Sequence, residues 1–247
     1  MNAQTNAVQE HYDTLLAGNY LWMAGGMKTN IDAARTFLKD HSLLPGAGGI
    51  ALDLGAGCGF MAIPLSHAGY RVTAVDISQE MLAILKSHAN GAAIQCIPGD
   101  ILDIASWRGL APELILCTGD TITHLPDTGA VRELIKACGR ELAPENRLVI
   151  SCRNYSFQPA GSSVVIPVRR DDNRIFICRL DFAESNVMVS DFLYTRQDGC
   201  WRRACGTYPK LRISSECLVN ILTTSGFSVE KQDISSDGIT LLACRNP

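Results

Sequence analysis

Apolar and polar residues alternate along this chain in two rhythms, and the change of rhythm divides it. Between residues 50 and 152, short apolar runs at 50–54, 71–75, 93–97, 113–117 and 147–152 are separated mostly by segments long enough for a helix. Near-continuous apolar runs of this length fit strands buried on both faces, and strands alternating with helices predict a parallel sheet. Helices are predicted over 60–68, over 79–89 with Ser78 as N-cap, and over 127–142, halted before Pro144. From Arg153 to Arg212 the runs become short and alternating, with turn residues at Asp171-Asp172-Asn173, Glu184-Ser185-Asn186 and Asp198-Gly199. This predicts an antiparallel meander. Phe176, Cys178, Leu180 and Phe182 share one face of a strand, as do Met188, Phe192 and Tyr194 on the next, so these faces are expected to be buried. A helix at 214–225 and strands at 227–233 and 239–245 end the chain, and residues 5–44 read as helical with breaks at Gly18 and Gly25-Gly26.

The expected architecture is a single α/β domain over residues 1–247, built on a Rossmann-like, doubly wound, seven-stranded sheet whose last strand is antiparallel. Residues 1–44 form an N-terminal helical cap, 45–154 and 213–247 the core sheet, and 155–212 a β-rich lid insertion.

The first apolar run leads into Asp53-Leu54-Gly55-Ala56-Gly57-Cys58-Gly59, a strand ending in an acid and then glycines at every second position. Glycine lets the backbone approach a ligand, and the amides at the start of the next helix point at it. A dinucleotide fingerprint needs a glycine or alanine where Phe60 stands, so the spacing departs from that pattern. Asp76 ends the second run, 21 residues after Gly55, where a carboxylate can take both ribose hydroxyls. Asp100 follows the third run in Ile-Pro-Gly-Asp-Ile.

The Asp53 to Gly59 stretch resembles motif I of class I S-adenosylmethionine-dependent methyltransferases. That resemblance implies S-adenosylmethionine as cofactor, with contacts from Asp53, Gly55, Ala56, Gly57, Asp76, Ile77, Met81, Asp100, Ile101 and Cys117, Asp100 meeting the adenine amine. Tyr12, Tyr20 and Trp22 in the cap are the aromatic residues expected over the cofactor and acceptor, since an aromatic face attracts a sulfonium.

After the fourth strand comes Thr118-Gly119-Asp120-Thr121-Ile122-Thr123-His124-Leu125-Pro126-Asp127, and after the fifth comes Arg153-Asn154-Tyr155. Both are similar to the glycine and sarcosine N-methyltransferase group. The resemblance implies that Arg153 grips a substrate carboxylate, with Tyr155 and Tyr20 nearby, and that Asp120 and His124 meet the nitrogen or sulfur that is methylated. Asp120-Thr121 replaces the family's Asn-Ser, which points away from glycine itself and toward another amino acid or a close derivative. Lys28 or Arg35 are the candidates to hold the methionine carboxylate. Two rivals stand beside this reading, a nicotinamide-dependent oxidoreductase and a non-catalytic S-adenosylmethionine-binding or regulatory protein.

Composition narrows the partners. With 47% hydrophobic residues the chain can bury a full core, and a net charge of -3 gives no reason to expect nucleic acid or an anionic membrane. The expected partner is a small molecule carrying a carboxylate, and a homo-oligomer is left open. No apolar run reaches the length of a membrane span and the N-terminal residues lack a signal-peptide pattern, so the location expected is cytoplasmic. Ten cysteines without a Cys-x-x-Cys pair read as reduced core residues, and no metal site is expected.

Overall fold

The structure is a computed structural model that describes residues 3–45 and 49–247, with side chains from residue 5 onward. Five strands, β1 (Ile50–Leu54), β2 (Arg71–Asp76), β3 (Ile94–Pro98), β4 (Leu114–Cys117) and β5 (Arg147–Arg153), run parallel where they pair. The insertion holds β6 (Ser163–Arg170), β7 (Arg174–Phe182), β8 (Asn186–Gln197) and β9 (Cys200–Leu211), and β10 (Phe227–Ile234) and β11 (Gly238–Arg245) end the chain. The core sheet has the order β10-β11-β5-β4-β1-β2-β3, and β11 is antiparallel to both its neighbours. A dinucleotide sheet would carry a parallel strand beside β5. The seven-stranded, doubly wound sheet with its antiparallel strand is the architecture the sequence predicts.

Helices cover both faces because these strands are apolar on both. Leu52 and Leu54 of β1 pack with α6 (Thr128–Glu141) and α7 (Ser215–Thr224), while Ala51 packs with α4 (Ala62–His67) and α5 (Gln79–His88). Caps fix the helix starts. Ser78 Oγ accepts from Met81 N at 3.1 Å, Asp127 from Ala130 N at 2.8 Å, and Ser214 from Cys217 N at 3.2 Å.

The N-terminal cap comprises α1 (Ala3–His11), a π-helical turn at Tyr12–Leu16, α2 (Ala17–Met23) and α3 (Met27–Asp40). The break expected at Gly18 does not occur. The chain stays helical through it, and the irregularity lies earlier, in the π turn. Gly25 and Gly26 do break the helix, with φ of 88° and 96°.

The insertion is a four-stranded antiparallel sheet in the order β6-β7-β8-β9. Its inward face includes Phe176, Cys178, Leu180 and Phe182, as the alternation predicts. On β8 the expected face is corrected. Val187, Val189, Asp191 and Leu193 pair with those four β7 residues and are buried, so Met188, Phe192 and Tyr194 face outward. β8 carries apolar residues on both faces, and alternation alone could not choose between them.

Candidate active site

The turn after β1 is built by glycine. Gly55 N and Ala56 N both donate to Val75 O, at 2.8 and 3.0 Å, pinning the loop to β2. Gly55 sits at φ 77° with Thr121 packed where a Cβ would stand, so no other residue fits. Asp76, ending β2, accepts from Gly57 N at 2.7 Å and from Ser78 N at 2.8 Å. Burial pushes its carboxyl above the usual range, and the nearby Asp13 adds to this, against those amides. It is therefore a desolvated acceptor with spare lone pairs facing a cavity, suited to hydroxyl donors. Asp100 is similarly fixed, accepting from Leu102 N at 2.9 Å.

These groups line one pocket. Its floor includes Gly55, Gly57, Asp76, Ile77 and Met81, continuing to Gly99, Asp100 and Ile101. Gly119, Thr121, His124 and Leu125 form the opposite wall, and the cap closes it with Thr5, Val8, Tyr12 and Tyr20. Tyr12 and Tyr20 have ring centroids 6.2 Å apart. No residue of the insertion lines this pocket among the described residues, so the cap forms its roof. The insertion instead holds the cap. His11 Nε2 lies 2.9 Å from Asp191 Oδ2 with both side chains buried, and Gly206 on β9 leaves room for the His11 ring.

Behind the wall lies a buried ionic cluster. Asp120, expected to face the acceptor, is instead bonded to the ammonium of Lys210, to the Tyr155 hydroxyl at 3.0 Å and to Arg153 N at 2.9 Å. Burial would raise its carboxyl, yet Lys210 and the hydrogen bonds hold it below the ordinary carboxylate value. His124 stands between this cluster and the pocket, stacked on Tyr208 at 5.6 Å, with its Nε2 3.3 Å from Tyr12 Oη. Burial, helped by the Lys210 charge, pushes the imidazole down to about 3. At neutral pH it is uncharged.

Other predicted residues are placed as follows. Ala56 and Cys117 are buried beside the pocket without lining it. Asp53 is buried below the loop, taking a hydrogen bond from the backbone of Ala62 at the start of α4. Trp22 does not reach the pocket. It packs with Leu15, Leu16, Phe176 and Leu193, with the Arg174 guanidinium 4.3 Å from its ring, because two positions along α2 turn it away from the Tyr20 side. Arg153 and Tyr155 line a second cavity with Val164, Ile166 and Phe182. The Arg153 guanidinium has no hydrogen bond or ion pair among the described residues. Lys28 and Arg35 pair with Asp32 on the exposed side of α3, at 2.6 and 3.3 Å. Sequence reading missed Thr5, Val8, Leu125, Thr121 and Lys210. None of these carries a local signal, since Lys210 shares its strand and its alternation with Arg202.

Residues 51–145 match the protein family described as Methyltransferase domain. A ubiquinone biosynthesis O-methyltransferase of Xanthomonas axonopodis pv. citri (strain 306) is 24% identical over 216 residues, spanning 83% of this chain and 85% of that protein. Among solved structures, an S-adenosylmethionine-dependent methyltransferase from Clostridium acetobutylicum ATCC 824 superposes with a TM-score of 0.73 at 18% identity, covering 98% of this chain and 99% of that one. An amino pentose methyltransferase from Micromonospora echinaspora, solved with S-adenosylmethionine bound, gives 0.68 at 14% identity, covering 100% and 98%. The lining of the pocket fits that cofactor: Asp76 presents a carboxylate suited to ribose hydroxyls, Gly57 and Gly99 leave the backbone open beside it, and Tyr12 and Tyr20 offer aromatic faces.

Proposed function

We propose that this class I S-adenosylmethionine-dependent methyltransferase methylates the free-base amine of a small, amino-acid-like metabolite. The observation that carries the reading is the neutral His124 on the pocket wall, pushed down to about 3. Such an imidazole accepts a hydrogen bond but takes up a proton poorly near pH 7, so the acceptor must be nucleophilic without a base. An unprotonated amine or a thiolate meets that condition.

When bound, S-adenosylmethionine supplies an electrophilic methyl: the acceptor lone pair forms the new bond to carbon as the C–S bond breaks and its electrons stay on sulfur. The chain's part is positional. His124 and Tyr12 orient the acceptor, the cap excludes water, and the methylated nitrogen loses its proton to solvent. Asp120, neutralised by Lys210, holds the wall and carries no proton. Arg153, with its guanidinium unpaired among the described residues, is the group proposed for the acceptor's carboxylate, since a planar fork matches it bidentately.

A second reading, an aromatic hydroxyl as acceptor, is favoured by the aromatic roof and by the name of the Xanthomonas relative. Matched amine and phenol acceptors offered with the cofactor separate the two. The amine is expected to be methylated faster, with a pH profile that follows the amine's own ionisation. A profile set by an enzyme group, or a faster phenol, overturns the amine reading. Arg153→Lys is expected to raise KM for carboxylate-bearing acceptors by ~10-fold or more and to leave cofactor affinity alone.

A further inference from the structure

The insertion and the core sheet enclose a second cavity of about 750 Å³ beside the candidate active site, within the range of small-molecule sites. Val164 and Ile166 of β6 and Leu180 and Phe182 of β7 line it, together with the single helical turn Tyr155–Phe157. Phe157 is 61% exposed, and Val164 and Ile166 are only partly buried against the apolar cluster of the insertion. Apolar surface is thus left in water along the cavity, at a cost that an apolar ligand removes. Among the described residues Arg153 is the one cation that lines it, and that guanidinium has no hydrogen bond or ion pair. A free planar fork beside apolar walls suits a carboxylate with a large apolar neighbour. Asp237, exposed on the turn before β11, also lines the cavity, and its charge opposes a second anionic group. The two cavities share a wall. Arg153 N and the Tyr155 hydroxyl both donate to Asp120, at 2.9 and 3.0 Å, and Gly119 and Thr121 on either side of Asp120 line the first pocket.

Resting on the amine reading above, we propose that this second cavity is the specificity half of the acceptor site and takes a large apolar group, aromatic or branched, beside the carboxylate that Arg153 holds. The acceptor is then an apolar amino acid or a close relative of one. Glycine leaves the cavity empty, so its apolar walls stay in water. An acidic amino acid brings a second carboxylate toward Asp237 and away from any free cation among the described lining residues. The reacting nitrogen stays on the other side of the shared wall, where His124 and Tyr12 stand.

Calorimetry on the full chain saturated with S-adenosylhomocysteine tests this, with phenylalanine, leucine, glycine, glutamate, phenylpropanoate and phenethylamine as probes. Phenylalanine and leucine are expected to bind ~10-fold or more tighter than glycine or glutamate, because several apolar carbons leave water at once. Phenylpropanoate, which lacks the amine, is expected to keep most of that affinity, and phenethylamine, which lacks the carboxylate, to lose ~10-fold or more. Two variants locate the apolar group. Phe157→Ser is expected to weaken phenylalanine and phenylpropanoate by ~3-fold or more and to leave glycine alone. Phe157 is exposed, so its replacement leaves folding intact, and unchanged S-adenosylhomocysteine affinity checks this. Val164→Phe fills the cavity and is expected to cost phenylalanine ~10-fold or more, again with glycine unchanged. Methyl transfer to the same probes checks the amine reading separately. Phenylpropanoate binding that depends on Phe157 and Val164, with no amine methylated, sustains the cavity and overturns the amine reading. Equal affinities for phenylalanine and glycine, or affinities that neither variant changes, overturn the cavity's role whichever amine is methylated.

Discussion

Asp53 and Asp76 stand at the ends of neighbouring strands, and their difference is one of compensation. Asp76 receives two backbone amides, while Asp53 has an oxygen, Oδ2, with no hydrogen-bond partner among the described residues. Burial, and after it the charge of Asp76, push the Asp53 carboxyl up to about 7 despite the Ala62 amide. A folded value above the unfolded one favours the protonated native state. Its contribution is therefore full below the unfolded carboxyl value, ~3.9, and is lost as pH rises through about 7. The loss is a few kcal/mol by order of magnitude. Asp53→Asn keeps an oxygen for the Ala62 amide and cannot ionise. It is expected to melt at a higher temperature than the wild type at pH 8 and to show a smaller fall between pH 5 and 8. Parallel melting curves for the two proteins across that range would show the unpaired carboxyl to be a cap and nothing more.

At the scale of elements, the core sheet was readable because each strand end carries its own sign. Gly55, Gly57, Asp76 and Asp100 follow apolar runs directly, so local order alone assembles the pocket floor. What was not readable depends on partners far along the chain. Lys210 meets Asp120 across 90 residues, and His11 meets Asp191 across 180. Nothing local distinguishes these charges from solvated ones. The misassigned face of β8 has another cause, since Val187, Val189 and Leu193 alternate with Met188, Phe192 and Tyr194 and neither set is polar. The π turn at Tyr12–Leu16 leaves no mark on the sequence, yet it sets Tyr12 against His124. The His11 contact makes the cap and the insertion one structural unit. His11→Ala leaves Asp191 buried without that partner, at an expected cost of ~1–3 kcal/mol. Because the two side chains act on each other, His11→Ala and Asp191→Ala are expected to be non-additive, the double variant losing less than the sum by ~1 kcal/mol or more. Additive losses in denaturant titrations would mean that the cap is held by its apolar contacts alone.

For the whole molecule, the pocket lies between two bodies, with the glycine loop fixed to the core sheet and the roof fixed to the insertion. Asp13 ties them, accepting from Ser78 Oγ at 2.5 Å next to Asp76. No described helix is long and apolar enough to cross a membrane. The cap's Thr5, Val8, Tyr12 and Tyr20 stand over the floor, so parting the cap from the core would widen the way in for a ligand. A ligand that binds only the closed form opposes that opening by RT ln(1 + [L]/Kd), about 2.7 kcal/mol at a hundredfold excess over Kd. Hydrogen exchange with and without S-adenosylhomocysteine reads the effect segment by segment. Slowing is expected in α1, the π turn and α2, and also in β9, which is absent from the pocket's lining but carries the cap through Tyr208 and Gly206. The β10–β11 hairpin, outside the pocket's lining, is expected to exchange at an unchanged rate unless the whole chain must unfold to open. Protection confined to the loop from Gly55 to Gly59 would mean that the cap does not open as a unit, and would leave the insertion without a part in closing the site.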